Sequence, residues 1–168
     1  RLQQIRQRLE RAAVGAGRDP SSVLLVAVSK TFSASAVRAA HAAGQRDFGE
    51  NKVQEALQKI SETADLPIRW HLLGHLQANK ARKAGQAFAL VQSVHSVELL
   101  QKLDAAAADA GRTLDLLIQV DLANEATKFG VPADAALSLF QAGQSCRAAR
   151  IVGLMTLPPV PESAEDSR

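Results

Sequence analysis

VLLVAVSKTFSAS, residues 23–35, sets six consecutive apolar residues, Val23 to Val28, directly against Ser29, Lys30 and Thr31. A short, continuous apolar run of this kind predicts a strand covered on both faces, the pattern of a parallel sheet flanked by helices. Similar runs recur at RDFGE (46–50), IRWHLLG (68–74), FALVQSV (88–94), LDLLIQVDL (114–122) and RIVGLMTL (150–157). Helical patterns alternate with them. Leu2, Ile5, Leu9 and Ala12/Ala13 predict an amphipathic opening helix that ends near Gly15 and Gly17. Val53, Ala56, Leu57 and Ile60 form a second stripe. Ser96 can cap a helix carrying Leu99, Leu100 and Leu103, and Pro132 stands near the start of another with Ala136, Leu137 and Phe140 inside it. Up to the fifth strand, starts recur every ~20–25 residues, the scale of one βα unit.

Two architectures accept such a repeat, a doubly wound open sheet and a (β/α)8 barrel. No G-x-G-x-x-G follows the first strand, which weakens a dinucleotide-binding reading. Polar clusters instead stand at the predicted C-terminal ends of several strands: Ser29-Lys30-Thr31, Glu50-Asn51, Gly74-His75 and Ser93-His95. Barrels place their chemistry at those ends. The expected fold is therefore α/β of the (β/α)8 TIM-barrel type, with about six βα units in this chain. Residues 1–168 are expected to form a single domain, incomplete at the C-terminus, because PPVPESAEDSR follows the sixth strand as a loop-like stretch. An unclosed barrel leaves edge strands open to pairing, so these residues alone are expected to associate.

Composition bounds the function. With 168 residues and 46% hydrophobic content, the chain can bury one core. A net charge of +3 suits a phosphate-bearing ligand, and five Phe with one Trp give little support for base stacking, so no nucleic acid is expected. The single Cys146 excludes an internal disulfide and fits a reducing compartment. No apolar run approaches the ~20 residues of a membrane helix, and RLQQIRQRLERAA lacks the apolar core of a signal peptide. A cytoplasmic protein without a membrane segment is predicted.

Lys30 shares strand parity with Leu24, Val26 and Val28, so one face of the strand carries it to the mouth of whatever that face encloses. Spacing alone favours a strand-end lysine reaching water; the alternative is an amine kept dry enough to attack a carbonyl. Asn51 can cap the helix that starts at Val53 or face the site mouth. His71 and His75 are four apart, roughly 13 Å on a strand, too far to share a zinc ion, so no metal is expected. Lys80, Arg82 and Lys83 fit a solvated helix face, and Lys128 falls in a loop after the fifth strand.

Five segments, VAVSKT (26–31), FGENKVQE (48–55), WHLLGHLQANK (70–80), NEATKFG (124–130) and GLMTLPP (153–159), together resemble the pyridoxal phosphate homeostasis proteins, the YggS or PROSC family. That family is related to the N-terminal barrel of alanine racemase. The resemblance implies pyridoxal 5′-phosphate (PLP) as cofactor, held as a Schiff base on Lys30. It puts Asn51 in the cofactor's neighbourhood and Met155 on the pocket wall. Lys128 corresponds to a basic residue near the site, a candidate second amine for hand-over. Two departures stand out. Phe32 occupies a position where many relatives carry another lysine. The family's G-M-S and G-S-T…V-R-I-G segments, which help hold the phosphate and ring, do not occur in these 168 residues.

The same resemblance implies intracellular vitamin B6 homeostasis by a non-enzymatic carrier that buffers PLP or delivers it to PLP-requiring apo-enzymes, monomeric as a complete protein. The competing reading is a PLP-dependent amino-acid racemase or another Schiff-base barrel enzyme. Alanine racemase takes its second base from a tyrosine, and this chain has none; Leu157 stands where the racemase has a histidine. A third reading, a sugar-phosphate barrel, uses no Schiff base at all.

Overall fold

The computed structural model describes residues 1–122 and 129–157. Its elements follow in the order α1 (Leu2–Gly15), β1 (Ala27–Val28), α2 (Ala34–Ala42), β2 (Asp47–Glu50), α3 (Val53–Glu62), β3 (Arg69–Leu72), α4 (Ala81–Ala87), β4 (Leu90–Val94), α5 (Val97–Asp109), β5 (Leu114–Asp121), β6 (Val131–Pro132), α6 (Ala136–Gly143) and β7 (Ala149–Met155). Every strand pairing is parallel. β1 to β5 lie side by side in chain order, and β7 runs along β5 from Leu114 to Gln119. The two-residue β6 adds to the last residues of β5. A doubly wound sheet would reverse its order part-way; here the main strands advance in one direction, which is the barrel arrangement. Right-handed crossovers that always advance put their helices on one face, and α3, α4, α5 and α6 touch in succession there.

Strand alternation sorts the side chains. Phe48, Trp70, Leu72, Val91 and Leu116 point to the helix layer and are buried, with the Phe48 and Trp70 rings 5.7 Å apart. Each such side chain contributes roughly 1.5–3 kcal/mol by leaving water. The opposite parity lines the concave face. At its lower end Arg69 pairs with Asp47 at 2.8 Å and Arg150 with Asp115 at 2.7 Å. Ser96 caps α5 as predicted, its Oγ accepting from Leu99 N at 3.2 Å. Asp104, further along α5, accepts from the amides of Arg147, Ala148 and Ala149 and so fixes the entry to β7.

Three local expectations change. β1 is regular only over Ala27–Val28, not 23–29, because among the described residues it pairs with β2 alone. Pro132 ends β6 and precedes a 3-10 turn at Ala133–Ala135, so α6 begins later, at Ala136. Lys52, not Asn51, occupies the N-cap of α3, and no side chain caps that helix.

Candidate functional site

A cavity of about 710 Å³ opens at the C-terminal end of the concave face, within the size range of small-ligand sites. Lys30, Asn51 and Met155 all line it. They arrive from β1, β2 and β7, three separate strands, through the same parity rule that sends Phe48 and Trp70 outward. Lys128, the fourth predicted residue, lies outside the described residues.

The chain turns sharply at Lys30. Ser29 N donates to Gly49 O at 2.9 Å, and Phe32 N returns to Ser29 O at 3.0 Å, closing a turn over Ser29–Phe32. Thr31 within it has φ 69°, in the left-handed region. Among the described residues, neither the Lys30 amine nor the Asn51 side-chain amide has a hydrogen-bond partner. Asn51 is set by close backbone packing. A Cβ on Gly74 would collide with the Asn51 carbonyl oxygen and stand 2.8 Å from Asn51 Cα and C. Ser93 Oγ holds Gly74 from the other side, donating to its carbonyl at 2.8 Å.

Sequence reasoning passed over Gln92 and Gln119 on the lining, and named His75 only as part of a strand-end cluster. Gln92 and Gln119 each interrupt an apolar strand with the parity of the concave face, the same signal that Lys30 gives, and so were findable. Gln119 is buried and donates to the Phe129 carbonyl. Gln92 Nε2 donates to His71 Nδ1 at 3.1 Å, which puts the His71 proton on Nε2, where it donates to Asp47 Oδ1 at 3.0 Å. Burial holds His71 below its ordinary value against the pull of Asp47. His75 stacks on Phe129 with centroids 3.6 Å apart and lies 4.6 Å from the His95 ring. Burial, then the neighbouring His95, lowers its basicity. These ring contacts depend on chain segments far apart in sequence, so no local signal announces them.

The described lining thus combines one unpaired ammonium, three side-chain amides and apolar walls that include Val26, Leu73 and Met155, with no carboxylate. Such a lining leaves room for a small molecule with negative charge, or with a carbonyl that an amine can meet.

Comparison with known proteins agrees with this chemistry. Residues 1–167 match the family described as alanine racemase, N-terminal domain. A pyridoxal phosphate homeostasis protein of Pseudomonas aeruginosa is 43% identical over 164 residues, which cover 97% of this chain and 71% of the relative. The chain belongs to the pyridoxal phosphate homeostasis protein family. Within that family, PipY of Synechococcus elongatus PCC7942, solved with PLP bound, superposes with a TM-score of 0.80 at 44% identity, covering 95% of this chain and 74% of PipY. Alanine racemase of Streptomyces coelicolor A3(2) superposes with a TM-score of 0.70 at 22% identity, covering 96% of this chain and 44% of the racemase. The racemase likeness shows the fold alone: the homeostasis-protein family and alanine racemase share this parallel βα arrangement, of which six units are seen here.

Proposed function

We propose that this chain takes up pyridoxal 5′-phosphate on the Lys30 amine and acts as a cytoplasmic, non-catalytic carrier in vitamin B6 homeostasis, within a single barrel domain. The observation that carries the reading is a lysine with no partner among the described residues, at the mouth of a cavity without a carboxylate in its described lining. When bound, the cofactor would supply an aldehyde carbon as the electrophile for a primary amine. Lys30 provides that amine from the end of β1. Asn51 offers an amide with no partner among the described residues, and Met155 and Val26 give the ring apolar walls. No acidic side chain among the described lining residues stands close to repel a phosphate. Lys128 is the proposed second amine for transfer to PLP-requiring enzymes.

A carrier is favoured over a racemase by the supply of bases. Racemisation needs a proton donor and acceptor on opposite faces of the substrate carbon. The chain contains no tyrosine, and apart from Lys30 the titratable side chain on the described lining is His75, whose ring is stacked on Phe129.

PLP titration followed by borohydride reduction and peptide mapping tests the assignment. A reduced adduct on Lys30 that disappears in Lys30→Ala is the expected result; labelling scattered over surface lysines and unchanged in the variant refutes it. Alanine or serine incubated with the loaded protein in D2O is expected to keep its α-proton. Exchange that depends on Lys30 would make the protein an enzyme.

A further inference from the structure

Behind the Lys30 turn, on the helix side of the sheet, lies a buried ionic cluster that touches neither Lys30 nor the cavity. Glu50 ends β2 and is fully buried; Lys59 projects from α3 and is nearly so. Lys59 Nζ donates to Glu50 Oε1 at 2.7 Å, to Glu55 Oε1 at 2.8 Å and to the Ser29 carbonyl at 2.6 Å. Ser29 Oγ donates to Glu50 Oε1 at 2.6 Å, and Thr31 N donates to Glu55 Oε1 at 2.7 Å. Among the described residues, every side-chain hydrogen bond the cluster makes outside itself therefore lands on Ser29 or Thr31, the two neighbours of Lys30.

We propose that Lys59, Glu50 and Glu55 are positioning residues for Lys30, clamping Ser29 and Thr31 so that the turn between them keeps its amine aimed into the cavity. This rests on the reading of Lys30 as the cofactor's amine. Two features set the cluster apart from ordinary stabilisation. Buried ion pairs recover little beyond their own desolvation, and here Glu50 Oε2 is left buried with no partner. The turn it holds is also strained, since a β-branched residue at φ 69° is an outlier that persists only where surrounding contacts impose it. A glycine at position 31 would adopt this shape unaided, so the clamp is required because the residue there is threonine. Glu55 is the accessible arm of the device, and its carboxyl is kept below its ordinary value by Lys59 first and the Thr31 amide second.

The test is a double-variant cycle on Glu55 and Thr31, with one readout that needs no cofactor. In the PLP-free chain, Glu55→Ala is expected to speed hydrogen exchange at the Thr31 amide about tenfold, the equivalent of one charge-assisted hydrogen bond. Borohydride-trapped PLP at Lys30 is expected to fall by a similar factor, while labelling of other lysines stays constant. Glu55→Gln keeps an acceptor oxygen and recovers most of both signals. In the Thr31→Gly background, Glu55→Ala has no further effect on Lys30 labelling. Unchanged Thr31 exchange in Glu55→Ala overturns the proposal, as does an equal loss of labelling in both backgrounds. If the native chain gives no adduct at Lys30, the carrier reading fails by itself, and Thr31 exchange still decides whether the clamp holds the turn.

Discussion

Gly74→Ala tests how the site depends on backbone packing. Gly74 has no positive φ, so alanine can adopt its conformation, and the whole effect is steric. The added Cβ would stand 2.8 Å from Asn51 Cα and carbonyl carbon, whereas carbon atoms rest at about 3.5–4.0 Å. The end of β2 and the chain after β3 must therefore part by about 0.7 Å or more. Ser93 opposes that movement by holding the Gly74 carbonyl. Overpacking of this kind costs roughly 1–3 kcal/mol. Because the residue displaced is Asn51, PLP binding should weaken along with stability, by about tenfold for each 1.4 kcal/mol of lost contact. Urea unfolding and PLP titration on the same samples read both effects. Gly15→Ala is the control: a Cβ there meets nothing within 4 Å at the end of α1, and the change should leave binding unaltered. A Gly74→Ala protein with native urea midpoint and native PLP affinity would refute the argument that this contact sets Asn51.

Asp104→Ala removes the acceptor of three backbone amides at the entry to β7 and should cost about 2–4 kcal/mol in urea unfolding. Burial alone would raise the Asp104 carboxyl, but those amides outweigh it and hold it below its ordinary value. Its contribution is therefore present above the unfolded carboxylate value near 4 and is lost as pH falls through the lower folded value. The difference between native and Asp104→Ala should shrink at acid pH, and a difference independent of pH would contradict this. His71 acts at higher pH: its folded value is depressed, so the unfolded chain binds more protons in the window below about 6.5. Urea midpoints should fall from pH 7.5 to 5.5, less so in His71→Gln, where His75 still contributes in the same direction. Equal slopes in the two proteins would remove His71 from the account.

Much of the architecture was legible because strands and helices announce themselves by period. Six apolar runs located the six main strands to within a few residues, and Ser96 announced the start of α5. Strand parity alone sends Lys30 inward, and the cavity gathers Lys30, Asn51 and Met155. The clamp was also half visible. Lys59 stands three residues after Ala56 on the buried stripe of α3, where a charge needs a partner. What spacing could not supply was the partner, since Glu50 reaches Lys59 from another element. The Phe129–His75 stack and the three amides gathered by Asp104 are contacts of the same kind, made across long stretches of chain.

The site is built by alternation across one pair of strands. Val28 faces Gly49 in register, so the next residues, Ser29 and Glu50, meet on the helix side, joined through Oγ and Oε1. One step further, Lys30 and Asn51 meet on the concave side. Clamp and cavity are thus adjacent rows of the same sheet. A slip of one residue in β1 would bury the Lys30 side chain among the helices, and the same slip in β2 would turn Glu50 toward the cavity. Phe48 packed on Trp70 resists that slip from outside. From inside, Gly49 resists it, because Leu73 and Val26 close over a position with no room for a Cβ. The glycine is thus as much a part of the lysine's placement as the charges behind it: it locks the register, and the register determines which of two neighbouring residues meets the ligand.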